Sequence, residues 1–103
     1  MTILAIDFGG TQVKSALVSE EFALEKSLPT RSSPQTLNQT LDVIDYLVTS
    51  VKVALTGIAI SVPGTVDTDE GVIYHGGLLR FFHGFRIKDI LEAKYHLPVT
   101  ALN

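Results

Sequence analysis

The amino-acid sequence predicts an α/β fold with a mixed sheet, in the element order βββαβ…αβ. A change of pattern in the first half carries the prediction. Apolar runs of strand length fill residues 2–29, whereas beyond Pro34 apolar residues recur at Leu37, Leu41, Ile44, Val48 and Val51. Those steps of four, three, four and three mark one face of a helix. Further on, strand-like Thr56–Val62 and Val99–Leu102 enclose a shorter helical stripe of Ile87, Ile90, Leu91 and Tyr95.

Thr2–Phe8 reads as a buried strand because it is almost continuously apolar, and Thr11–Glu20 as a second. Phe22–Pro29 alternates more and belongs nearer an edge, so the three make an antiparallel β-meander. Glu20-Glu21 is a charged turn, and Pro29 closes the third run because proline cannot donate to a ladder. Arg31-Ser32-Ser33-Pro34 is then a connector. The long helix has two candidate N-caps, Ser33 before Pro34 or Thr36 with Gln39 three residues later, and either start gives about four turns or more. Pro63-Gly64 ends the next strand, Asp67-Thr68-Asp69-Glu70-Gly71 is a polar turn between short extended pieces, and glycine-rich, aromatic Gly76–Phe85 is an ordered loop. Pro98 ends the last connection.

A chain of 103 residues, 46% hydrophobic, fits one small globular domain with a modest core and leaves little room for a two-domain enzyme. The net charge of -3 comes with no basic block, which disfavours a nucleic-acid partner. There is no cysteine, hence no disulfide framework and no Cys-based zinc site, a composition compatible with a reducing cytoplasm. The N-terminus lacks a signal-peptide pattern and no apolar run reaches the roughly 18 residues of a membrane span, so the chain is expected to be soluble, cytoplasmic and without a membrane partner.

Asp7-Phe8-Gly9-Gly10-Thr11 places an acid, a glycine turn and a hydroxyl between two strands. Glycines without Cβ atoms let backbone N–H groups approach an anion and adopt positive φ. The Walker loop and the Rossmann fingerprint both require a helix after the turn and glycines or a lysine that are absent here. Residues 11–18 are instead strand-like, which points to a hairpin phosphate loop with Asp7 as a metal-directed carboxylate. A plain turn with a solvated Asp7 is the alternative.

Three stretches in this order resemble one family, the ROK sugar kinases and repressors, within the actin-like, ribonuclease-H-like ATPase fold. Asp7–Lys14 is similar to the family's first phosphate motif, Ser61-Val62-Pro63-Gly64-Thr65-Val66-Asp67 to its S-x-P-G-x-V-D loop, and Leu97–Asn103 to the strand leading into its Asn-Asp pair. The resemblance covers Met1 to Asn103 but only the N-terminal domain of a family member. It implies an ATP-dependent kinase domain in which Asp7 helps place magnesium, indirectly, Gly9, Gly10 and Thr11 line the phosphate turn, and Lys14 faces the phosphates. It also implies that Gly64 passes the sugar and that Asn103 binds a sugar hydroxyl. Each has a plainer alternative: a solvated strand lysine, a Pro-Gly turn, a terminal asparagine.

The chain departs from the family pattern in several places. The general base, an aspartate after the asparagine, is expected just beyond Asn103, and the zinc ligands, further sugar contacts and adenosine pocket are expected in a C-terminal domain. Gln12 stands where the family often has lysine, and Gly76-Gly77-Leu78 stands near a sugar-binding asparagine of glucose-type members, which puts Gly77 at the sugar. His75, His83 and His96 have spacings of eight and thirteen that match no local metal pair, and His83 reads as a loop residue near the sugar cleft. The expected parent is a sugar kinase, a homodimer by resemblance, binding ATP and a small-molecule sugar. The alternatives are a sugar-responsive transcriptional regulator and a noncatalytic sugar-binding relative. Met1 lies only six residues before Asp7, too few for the regulator's DNA-binding domain. The retained phosphate turn argues against the noncatalytic relative.

Overall fold

The computed structural model describes residues 1–21, 23–77 and 79–103. Its main sheet takes β1 (Thr2–Phe8), β2 (Gln12–Ser19), β3 (Leu24–Ser27), β4 (Arg31–Ser32), β5 (Leu55–Ser61) and β8 (Val99–Leu102) in the order β3-β2-β1-β5-β8, with β4 also paired to β2. The pairing of β1 with β2 and of β2 with β3 is antiparallel, as the β-meander requires, while β5 and β8 run parallel to β1. The sheet is therefore mixed. A separate hairpin, β6 (Thr65–Asp67) with β7 (Val72–Tyr74), is closed by the polar turn at residues 67–71.

One reading needs correction. Arg31-Ser32 is a strand, paired to Gln12 and Val13, and not merely a connector; two residues are too few to leave a periodic signal. Gly76–Phe85 holds a short 3₁₀ turn, Arg80–Phe82, which seats Phe82 fully buried and edge-on to Phe8 with ring centroids 5.7 Å apart. That aromatic contact fastens the loop beneath the end of β1. β3 is exposed throughout, as an edge strand should be; the predicted start of that run at Phe22, and Leu78 in the glycine-rich loop, lie outside the described residues.

Helix α1 (Leu37–Ser50) starts at Thr36, whose hydroxyl accepts the Gln39 N–H at 3.1 Å, while Gln39 Oε1 accepts the Gln35 N–H at 2.8 Å. Thr36 is thus the cap and Ser33 is not. Along α1 the fully inward residues are Thr40, Ile44 and Leu47, with Leu41, Val48 and Val51 half-covered and Leu37 exposed. Thr40 is tolerated there because its hydroxyl donates to the Thr36 carbonyl at 2.8 Å. Helix α2 (Ile87–Tyr95) buries Ile87 and Leu91. Both helices share one core with Leu4, Ile6 and Phe8 of β1, Val13 and Leu17 of β2, and Ile58 and Ile60 of β5. Because side chains alternate along a strand, Asp7 and its face-mates point to the opposite side of the sheet.

Candidate functional site

Parallel strands β1, β5 and β8 all end at the same edge of the sheet, and the candidate residues collect there. At the end of β1, Gly9-Gly10-Thr11 turns the chain into β2, and the Gly9 N–H donates to the Gln12 carbonyl at 2.9 Å. A Cβ on Gly9 would lie 2.9 Å from that same oxygen, so the close approach explains the glycine. The expected positive φ is not found at Gly9 or Gly10; the glycines that adopt it are Gly64, Gly71, Gly77 and Gly84. Proximity, and not handedness, is what this turn asks of Gly9.

Asp7 and Lys14 are register partners across β1 and β2, and Ser61 pairs with Asp7 on β5. Asp7 and Lys14 are exposed, and neither takes part in an ion pair among the described residues. With Ser61 and the small residues Ala5, Ala16 and Ala59 they line an open groove of about 410 Å³ on the face away from the helices. Among the described residues no three His, Cys, Asp or Glu side chains converge, so there is no all-protein metal cage. A lone exposed carboxylate beside a glycine turn does fit magnesium, which takes one or two protein carboxylates and completes its shell with phosphate oxygens and water.

The second half of the site is built on Gly64. Its φ of 92° and a Cβ position only 1.8 Å from the His75 carbonyl oxygen leave room for glycine alone. The Asn103 side-chain amide donates to the Gly64 carbonyl at 2.8 Å, so these two residues meet. Gly77 joins them by packing on Pro63, with a Cβ position 3.0 Å from the proline's own Cβ. His83 joins through His75: its Nδ1 accepts the His75 N–H at 3.1 Å and the two rings lie 5.0 Å apart.

The sequence spacing of eight gave no hint that His75 and His83 meet; His96 is elsewhere, capping α2 with φ 56°. Arg80 was also missed. It lines one cavity with Gly10 and Thr11 and another, of about 340 Å³, with His75, Gly76, Gly77 and His83, and so lies between the two halves. A single arginine in an aromatic run carries no local signal of such a position.

The start of β8 is clamped by one ion pair. Lys88 Nζ donates to Glu92 Oε2 at 2.7 Å and to the Val99 carbonyl at 3.1 Å, and Glu92 Oε2 also accepts the Val99 N–H at 3.0 Å. The Lys88 hydrogen bond first, then the Val99 N–H, hold the Glu92 carboxyl below its ordinary 4.5. Both backbone groups of Val99 are thereby tied to α2, four residues before Asn103.

Residues 3–103 match the model of the ROK family. The chain is 37% identical over 111 residues to a β-glucoside kinase from Listeria monocytogenes, covering all of this chain and 35% of that one. A ROK family protein from Streptococcus pneumoniae, solved in complex with sucrose, superposes with a TM-score of 0.85 at 34% identity, over 100% of this chain and 34% of that one. A ROK family glucokinase from Streptomyces griseus, solved with glucose and AMPPNP, gives a TM-score of 0.86 at 22% identity, over 100% and 33% of the two chains, and so shares the fold. The chain thus spans about a third of the length of the relatives it matches.

Proposed function

Since the chain belongs to the ROK family, we propose that it forms the phosphate-holding and sugar-contacting part of an ATP-dependent sugar kinase, which transfers the γ-phosphoryl group to a hydroxyl of a hexose or related sugar. One observation carries the reading: Asp7, the Pro63-Gly64 loop and Asn103 stand at the shared end of three parallel strands, beside a turn built of glycine.

Phosphoryl transfer depends chiefly on positioning and on neutralising charge. The Gly10 and Thr11 N–H groups and the Lys14 ammonium serve the triphosphate. Magnesium, when bound, neutralises charge on the phosphate oxygens, and Asp7 is the carboxylate that would hold it. Asn103, its amide already donating to Gly64, offers its Oδ1 to a sugar hydroxyl, while Gly64 brings bare backbone to the sugar. Gly77 and His83 shape the adjoining wall. Removal of the hydroxyl proton falls to a base outside residues 1–103, in line with the expected aspartate.

The test is a coupled assay on the protein that carries this domain, with ATP, magnesium and a panel of glucose, N-acetylmannosamine and a β-glucoside. The name of the Listeria relative puts the β-glucoside first. Sugar-dependent ADP release that Asp7→Asn lowers by about 10²-fold or more in kcat, with sugar KM little changed, supports the reading. No turnover on any sugar, or an Asp7→Asn effect confined to KM, defeats it.

A further inference from the structure

We propose that Ser33 is a positioning residue for the phosphate turn, setting the direction in which its amides meet the nucleotide. The inference rests on the kinase reading above and adds a residue to it. Ser33 lies in the connector between β4 and α1, 24 positions from Gly9, and it does not cap the helix. Its hydroxyl donates to the Gly9 carbonyl at 2.6 Å and its N–H donates to the Thr11 carbonyl at 3.1 Å. One residue therefore holds two of the turn's carbonyls.

The consequence follows from peptide geometry. A trans peptide unit is planar, and its C=O and N–H point in opposite directions. Fixing the Gly9 carbonyl on Ser33 turns the Gly10 N–H away from the connector, and the Gly9 N–H is already spent on Gln12. Among the described residues, the Gly10 and Thr11 N–H groups donate to no protein acceptor. They are left free to face an anion on the side of the turn away from the connector.

The bond also has a firm base. Pairing of Arg31 with Val13 and of Ser32 with Gln12 carries Ser33 to the turn, and Pro34 beyond it is buried. A turn of two glycines and a threonine would otherwise sample several peptide orientations. Ser33 removes that freedom before the nucleotide arrives, which is the cost that preorganisation avoids.

The protein that carries this domain is titrated calorimetrically with Mg·AMPPNP and, separately, with its sugar, as wild type, Ser33→Ala and Ser33→Thr. Loss of one positioned hydrogen bond predicts that Ser33→Ala weakens Mg·AMPPNP binding about tenfold and leaves the sugar Kd within about twofold. Ser33→Thr, which keeps the hydroxyl, restores nucleotide affinity to within about threefold. NMR titration with tripolyphosphate should shift the Gly10 and Thr11 amides in the wild type and much less in Ser33→Ala. Wild-type nucleotide affinity in Ser33→Ala, or equal losses for nucleotide and sugar, overturns this inference alone. A wild-type protein that binds no nucleotide overturns it together with the kinase reading.

Discussion

The Asn103 side-chain amide donates to the Gly64 carbonyl at 2.8 Å, which joins the last residue of the chain to the loop after β5 across 39 positions. Gly64 is in turn wedged against the His75 carbonyl, so Asn103, the Pro63-Gly64 loop and the histidine loop form one contiguous wall. The two members of the pair differ in what they can lose. Gly64 has no space for a Cβ beside the His75 carbonyl, whereas Asn103 is an exposed side chain joined to the loop by that hydrogen bond.

Gly64→Ala is expected to destabilise the protein by roughly 1–3 kcal/mol from backbone strain alone, with the collision against the His75 carbonyl adding to it. Asn103→Ala removes only an exposed hydrogen bond and should cost under about 1 kcal/mol. Urea denaturation of both variants checks the contrast; equal losses would mean that Asn103 holds the loop in place.

Thr36→Ala should cost about 1 kcal/mol by removing the hydroxyl that accepts the Gln39 N–H. Thr40 keeps its own bond to the Thr36 carbonyl, so the effect stays at the first turn of α1. Thermal unfolding with far-UV circular dichroism reads it.

The acid limb of the stability curve has two named contributors. Hydrogen bonding from Lys88 lowers the Glu92 carboxyl below 4.5, and hydrogen bonding from the Tyr95 hydroxyl, with help from Lys94 and against desolvation, lowers Asp45 below 3.8. Groups depressed on folding stabilise above their unfolded values, and that stability is lost as pH falls through the folded ones. Stability should therefore decline below about pH 4.5. Glu92→Gln should flatten part of that decline in denaturant titrations at pH 3–6.

The alkaline limb belongs to Tyr95. Burial first, then its 2.8 Å hydrogen bond to Asp45 Oδ1 and the charge there, raise the phenol above its ordinary 10.0. A raised group stabilises below its unfolded value, so stability should fall once pH passes about 10. Tyr95→Phe should be less stable at neutral pH but lose less on going to high pH. An unchanged alkaline slope in that variant would assign the loss to other groups.

Residues 1–103 purified alone should give no sugar-dependent ATP hydrolysis. Transfer needs base, metal, triphosphate and acceptor held within about 3–3.5 Å of reaction geometry, and these residues are proposed to supply one side of that arrangement. Weak binding of nucleotide at the Gly9-Gly10-Thr11 turn remains expected. Turnover by the purified chain, abolished by Asp7→Asn, would place the base within residues 1–103.

Much of the secondary structure was legible because it has a period. β1 was read as Thr2–Phe8 and found there, Val99–Leu102 likewise, and the change from strand to helix fell between Pro34 and Leu37 as expected. Of the two candidate caps, only a structure could choose, since Ser33 and Thr36 offer the same hydroxyl and differ in what else lies within reach. The helical stripe shows the same limit. Periodicity finds a face to within a residue, but Leu37 is exposed and Thr40 buried because what covers α1 decides the centre of that face.

The sequence by itself determined the longer strands and the two α-helices, the glycine turn with Asp7 before it, and the order of three motifs, since each depends on residues a few positions apart. Tertiary structure decided the contacts that make a site of them. Ser33 reaches Gly9 across 24 positions and Asn103 reaches Gly64 across 39. Neither pair has a local signature, because a hydrogen bond between distant segments requires that the sheet first bring their backbones together.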